Sequence, residues 1–250
     1  MIHLKGKIAL VTGGGRGLGR AIALALADAG ADVAIASRTR EQLDAVAAAI
    51  RAQGRRALTL ETDVSDSAAV AQMIAAVRAE FGRLDVCVHS AGVAWAERLV
   101  DLSDEAWQWL MDTNLNGTFY VCRAAARVMV EQKSGSIITL ASVAGVKGVP
   151  GLGAYGASKG GVIALTRTLA LELARDNVRA NVIAPGYFRT DMNAGALDDP
   201  ELGAKIVKRI PLRRVGNPEE LGGLAVYLAS DAASFVTGET FFISGGEMAQ

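Results

Sequence analysis

The stretch from Lys7 to Ala29 constrains the fold more than any other part of the chain. Lys7-Ile8-Ala9-Leu10-Val11-Thr12 is a short apolar run of strand formers. Gly13-Gly14-Gly15-Arg16-Gly17-Leu18-Gly19 follows with no spacer. Arg20 to Ala29 then carries Ile22, Leu24, Ala25, Leu26 and Ala29, as expected of a largely buried helix. Strand, glycine turn and helix in that order form the setting in which a dinucleotide pyrophosphate is held. Glycines let the backbone turn sharply and come close to phosphate without a Cβ in the way. The helix N-terminus adds unpaired N–H groups and a partial positive charge. The spacing here is Gly13-x-x-x-Gly17-x-Gly19 and departs from the commoner GxGxxG.

The alternation continues along the chain. Apolar strand-like runs fall at 7–12, 32–37, 56–61, 84–89, 135–141, 178–184 and 239–243. Helical patterns fall at 17–29, 40–53, 67–81, 103–131 (broken near Thr113), 155–175 and 217–229. This order predicts right-handed βαβ units: an α/β, Rossmann-type, doubly wound parallel sheet of about seven strands with helices on both faces. No repeat, low-complexity linker or composition shift divides the 250 residues, so one domain spanning 1–250 is expected. The long irregular stretch 186–211 reads as a mobile lid with short helices of its own.

Tyr155-Gly156-Ala157-Ser158-Lys159 places a phenol and an ammonium four residues apart, on one face of a helix. An ordinary tyrosine titrates near pH 10, and a neighbouring cation favours its phenolate. Ser142, thirteen residues before Tyr155, supplies a hydroxyl that can hold a substrate oxygen. The trio is a set of parts for moving a proton on a hydroxyl or carbonyl oxygen. Only two histidines, His3 and His89, are present, so a histidine triad or a zinc site is not expected. Cys87 and Cys122 read as reduced, buried small side chains.

Taken jointly, Thr12-Gly13-x-x-x-Gly17-x-Gly19, Asn114, Ser142, Tyr155, Lys159 and Pro185-Gly186 resemble the short-chain dehydrogenase/reductase family, from about Lys7 to Gly246. The resemblance implies hydride transfer at a carbonyl carbon with a nicotinamide cofactor. It casts Tyr155 as general acid/base. Lys159 lowers its pKa and bonds the nicotinamide ribose, and Ser142 orients the substrate oxygen. Asn114 holds a water that links Lys159 to solvent, with Asn116 as the alternative. The cofactor residues it implies are Gly13, Gly15, Arg16, Gly17, Leu18 and Gly19 in the turn, with Ser37, Arg38, Asp63 and Val64 toward the adenosine. Ser90, Ala91 and Gly92 stand where relatives often carry Asn-Ala-Gly. Tyr155, Lys159, Pro185, Gly186 and Thr190 complete the nicotinamide side.

An acid at the end of the second strand holds the adenosine ribose of NAD, whereas an arginine there accommodates a 2′-phosphate. The second strand ends at Ser37 and Arg38 follows, while Asp32 lies at its opposite end. With Arg16 inside the glycine loop, NADP(H) is favoured over NAD(H). The expected substrate wall includes Ala94, Trp95, Ala144, Val146, Val149, Leu152, Tyr187 and Met192, with Lys147 and Arg189 as anion contacts. The substrate is a small carbonyl or alcohol compound. The motif set resembles both the 3-oxoacyl-carrier-protein reductase and the gluconate 5-dehydrogenase types. Lys133 and Arg175 are candidates for docking a carrier protein, weakened by Glu131 and Asp176 beside them. A non-catalytic dinucleotide-binding regulator is the other class, although pure binding needs no Tyr155.

Lysine plus arginine and aspartate plus glutamate each total 26, so nothing marks a nucleic-acid or membrane surface. Neither a signal core nor an apolar run long enough to span a bilayer is visible, which points to the cytoplasm. The helices at 114–131 and 155–175 are apolar on more than one face, including Val121, Ala125, Val128, Leu165 and Leu169, and such surplus apolar surface suggests partners. Relatives form tetramers through matching helices and a C-terminal segment like Phe241 to Gly246, so a homotetramer is expected.

Overall fold

The computed structural model describes residues 2–249. Seven parallel strands form one sheet: β1 (Ile8–Thr12), β2 (Asp32–Ser37), β3 (Ala57–Glu61), β4 (Val86–His89), β5 (Gly135–Leu140), β6 (Val178–Pro185) and β7 (Thr240–Ile243). Their spatial order is β3-β2-β1-β4-β5-β6-β7. The direction of winding reverses between β1 and β4, and ligands of open α/β sheets bind outside the carboxyl ends of the strands at such a point.

Nine α-helices connect the strands among the described residues. These are α1 (Gly17–Asp28), α2 (Arg40–Ala52), α3 (Ser67–Phe81), α4 (Asp104–Met111), α5 (Gly117–Gln132), α6 (Gly153–Leu173), α7 (Ala194–Asp198), α8 (Pro200–Arg209) and α9 (Gly222–Ala229). The strand period of two sends alternate residues to opposite faces. Ala9 and Val11 meet α1, α2 and α9 through Ile22, Leu26, Leu43, Ala225 and Leu228. Ile8 and Leu10 meet α3 and α5 through Val70, Val77, Val121 and Ala125. Both faces are therefore covered, which is why the strands read as continuous apolar runs.

The break near Thr113 is real. Asp112–Asn116 is a π-helical turn that joins α4 to α5. The strand expected from residue 84 begins at Val86, because Asp85 turns its buried carboxylate to Ile8 N (2.8 Å) and to Arg83. The lid region contains α7 and α8. Asp199 caps α8 by accepting from Glu201 N and Leu202 N, and Pro200 occupies its first turn. Cys87 and Cys122 are free and buried on one face of the sheet, and burial pushes the Cys122 thiol up to about 12. No described helix is long and apolar enough to cross a membrane.

One expectation needs correction. Val121, Ala125 and Val128 are not surplus apolar surface; they are buried against the sheet, and Leu169 packs on the same cluster. The apolar side chains left open on these helices are Phe119 on α5 and Leu171 on α6.

Candidate active site

Most candidate site residues lie at or just past the carboxyl ends of β1 to β6. Thr12 closes β1, and the glycine turn begins at once. Two positions there favour glycine. Gly17 sits at φ +53°, and a Cβ on Gly19 would stand 2.2 Å from the Gly13 carbonyl oxygen. Gly19 therefore serves the turn's own closure. α1 starts directly after the turn, and no side chain caps its first N–H groups. That combination suits a pyrophosphate. Across the turn, Gly13 touches the backbone of Ser90 and Ala91 closely enough to exclude a Cβ.

Ser37 ends β2, with Arg38 exposed after it. Arg38 Nη1 lies 3.9 Å from Asp63 Oδ2. Burial works against ionisation of Asp63, but bonds from Ser65 and the Arg38 charge together hold its carboxyl below the ordinary value. Val64 beside it is buried against Gly117. Asp32, at the far end of β2, accepts from Arg56 N and braces the opposite edge of the sheet, so it takes no part in the site. Arg16 reaches over the glycine turn to Asp191 at 3.7 Å. Thr190 lies above Gly17 and bonds Asn193, which places the start of the lid against the same turn.

The proton-moving residues converge after β4 and β5. Ser142 follows β5 in extended conformation; its hydroxyl accepts from Ala144 N and lies beside the Tyr155 phenol. Tyr155 and Lys159 share one face of α6, which begins two residues earlier than expected, at Gly153. Lys159 Nζ stands 5.8 Å from the centre of the Tyr155 ring and donates to the Leu140 carbonyl (3.0 Å). Burial lowers the Lys159 pKa to about 8. Tyr155 keeps an exposed edge, yet burial of the rest raises its pKa, and the bond from Ser142 acts in the other direction. The ammonium is turned toward Leu140, so the phenol stays protonated at neutral pH.

Asn114 is fully buried in the π-helical turn. Its Oδ1 accepts from Val93 N, and its Nδ2 donates to Val93 O and Ser158 Oγ. Its side chain therefore braces the segment after β4. A Cβ on Gly92 would stand 3.2 Å from both Asn114 Oδ1 and Lys159 Nζ. Asn116 is outside this group and bonds Asp112 instead.

Sequence reasoning missed His89. It ends β4, is buried, shares a 2.8 Å hydrogen bond with Thr12 Oγ1, and feels the Lys159 charge. Burial and then Lys159 hold its pKa at about 3, so it is a neutral imidazole beneath the site. Its place directly before Ser90-Ala91-Gly92 was the signal that could have found it.

On the substrate side, Ala144 is buried, Val149 is partly open, and Trp95 and Met192 are exposed. Trp95 stands edge-on to Trp109 and donates from Nε1 to Glu97. Glu97 N in turn bonds Gly151 O, which ties this segment to the loop before α6. Tyr187 lines a small cavity with Ile210, Leu212 and Ser244. The two expected anion contacts are already paired, Lys147 with Glu247 and Arg189 with Asp198, each at 2.8 Å. Lys133 likewise meets Asp176, which removes it as a free docking cation.

A family model described as enoyl-(acyl carrier protein) reductase matches residues 13–247. The chain belongs to the short-chain dehydrogenase/reductase family. A 3-oxoacyl-[acyl-carrier-protein] reductase of Synechocystis is 42% identical over 248 residues, 98% of each chain. Gluconate 5-dehydrogenase of Gluconobacter oxydans is 38% identical over 246 residues, covering 98% of this chain and 96% of the relative. Among solved structures, a gluconate 5-dehydrogenase of Burkholderia cenocepacia in complex with NADP and tartrate superposes with a TM-score of 0.96 at 37% identity, covering 100% of this chain and 98% of the other. Family membership makes the protein an oxidoreductase, the class expected ahead of the non-catalytic regulator.

Proposed function

We propose that the protein interconverts a ketone and a secondary alcohol with NADP(H), using Tyr155 as general acid/base. The observation that carries this reading is the convergence of the three side chains, with the Ser142 hydroxyl beside the Tyr155 phenol and the Lys159 ammonium 5.8 Å from the centre of its ring. In the reducing direction the carbonyl oxygen sits between the Ser142 hydroxyl and the Tyr155 phenol. Ser142 holds it, and Tyr155 gives it a proton as negative charge develops there. A protonated phenol at neutral pH suits that direction. In oxidation Tyr155 takes the proton back, and the Lys159 ammonium stabilises the phenolate electrostatically.

The cofactor supplies the hydride, and the residues present fit it. The pyrophosphate would lie on the uncapped N-terminus of α1 with Gly13, Gly15, Gly17, Leu18 and Gly19 around it. Ser37, Arg38 and Arg16 would take the 2′-phosphate; Asp63 and Val64 would flank the adenine. Ser90, Ala91, Gly92, Pro185, Gly186 and Thr190 would frame the nicotinamide, with Tyr155 and Lys159 near its ribose. Asn114 positions the wall that faces Lys159. The substrate is a 3-oxoacyl compound or a keto sugar acid, the classes named for the relatives, with 186–211 as the lid and Trp95, Ala144, Val149, Tyr187 and Met192 near the substrate. A homotetramer in the cytoplasm, formed through the open faces of α5 and α6, completes the proposal.

The test is Tyr155→Phe. Loss of turnover by about a thousandfold with NADPH affinity kept supports general acid/base catalysis. Turnover within about threefold of wild type sinks it, because that is less than general acid/base catalysis ordinarily contributes.

A further inference from the structure

The Lys147–Glu247 pair is unlike the other ion pairs around the cleft. Arg16–Asp191 and Arg189–Asp198 join exposed side chains, which solvent screens and substrate can rearrange. The Glu247 side chain is only 4% exposed, against 36% for Lys147. Glu247 lies in the short turn Glu247–Ala249 at the C-terminal end of the described chain. Its Oε1 takes the Lys147 ammonium, and its Oε2 is buried with no hydrogen-bond partner among the described residues. Gly186 allows this approach; a Cβ there would stand 3.2 Å from Oε2 and 2.9 Å from Ser244 Cα. Lys147 belongs to the loop that follows Ser142, anchored by Lys147 N to Val143 O. The pair therefore ties the chain past β7 to the loop that carries the substrate-orienting serine.

A buried carboxylate with one unmet oxygen cannot release its only cation cheaply. A second carboxylate, brought by a substrate, would have to share the Lys147 ammonium with Glu247. The negative charge already present repels it. Val146, next to Lys147 in the chain, and Trp95 and Met192, on the loops that follow β4 and β6, are exposed apolar side chains, which suits an uncharged carbon chain.

We infer that the buried Lys147–Glu247 pair is a charge lock that closes the substrate cleft to carboxylate-bearing ketones and leaves it open to uncharged apolar ones. Glu247 is then a specificity-determining residue that acts through Lys147. The inference rests on the carbonyl-reductase reading above and chooses between its two substrate classes.

The test compares kcat/KM with NADPH for a neutral β-ketoester and for 5-ketogluconate, in wild type, Glu247→Gln and the double variant Lys147→Met with Glu247→Gln. Wild type should prefer the ester by at least about tenfold, the scale of one charge contact. Glu247→Gln, nearly isosteric, frees the ammonium and should raise kcat/KM for 5-ketogluconate by about tenfold relative to the ester. The double variant should show no such gain. If loop loosening were the cause, it would gain as well, and that overturns the lock. Wild type that takes 5-ketogluconate as well as the ester overturns it too, even if Glu247→Gln does not fold. Should neither compound turn over while NADPH binds, the carbonyl-reductase reading has failed. The lock is then judged by quenching of tryptophan emission in the NADPH complex. Wild type binding gluconate no more weakly than the ester contradicts it, and a gluconate affinity gained only by Glu247→Gln upholds it.

Discussion

On the cofactor side of the cleft, position is set by the sheet. The glycine turn leaves β1, Arg38 leaves β2, and Ser90 leaves β4, each placed by parallel register, and Gly13 lies too close to the Ser90–Ala91 backbone to carry a Cβ. On the substrate side, Trp95, Val146, Met192 and Lys147 stand on loops and rely on a few hydrogen bonds and ion pairs. Rigid strand ends hold chemistry that tolerates little displacement, whereas loops carry selectivity and can vary without disturbing it. Changes on the first side should therefore cost folding or turnover, and changes on the second should redistribute substrates.

The largest test of that contrast is Lys159→Met. Turnover at pH 7 should fall about a thousandfold, with urea unfolding showing no loss of stability, since a buried ammonium has been removed. A fall of less than tenfold would place Lys159 with the merely structural residues. Next is Gly19→Ala. Its Cβ has nowhere to go beside the Gly13 carbonyl, so stability should drop by about 3 kcal/mol in denaturant unfolding. An unaffected midpoint would mean the turn is looser than its geometry.

The pH dependence of His89 is spread over several pH units. Its folded pKa, about 3, lies below the ordinary 6.5, so the unfolded chain binds the extra proton between these values. Stability is fully present above pH 6.5 and declines as the pH falls toward 3. The slope is about 1.4 kcal/mol per pH unit. His89→Asn should flatten that part of the unfolding-versus-pH curve; an unchanged slope would assign it to other groups. Smallest is Arg38→Ala, expected to cut the NADPH-over-NADH preference about tenfold, the worth of one charge-assisted contact. Equal loss with both cofactors would make Arg38 a general support of the loop.

Legibility in the sequence followed the same division. The β1–glycine–α1 unit, the break at Thr113 and the Ser142/Tyr155/Lys159 set were readable because each is a local pattern of periodicity or spacing. What could not be read depends on distant partners. Val121, Ala125 and Val128 look like free apolar surface until the sheet is placed beneath them. Lys147 and Arg189 look like anion contacts until Glu247 and Asp198 arrive, Glu247 from one hundred residues away. The direction of the Lys159 ammonium is set by the Leu140 carbonyl, nineteen residues away, which spacing alone does not encode.

The most direct test of the central claim is the initial rate of cofactor oxidation with NADPH and with NADH, on a neutral β-ketoester and on 5-ketogluconate, for wild type and Tyr155→Phe. The account predicts turnover that prefers NADPH and disappears in the phenylalanine variant while NADPH still binds. A preference for NADH, or turnover that survives the loss of the phenol, would contradict it.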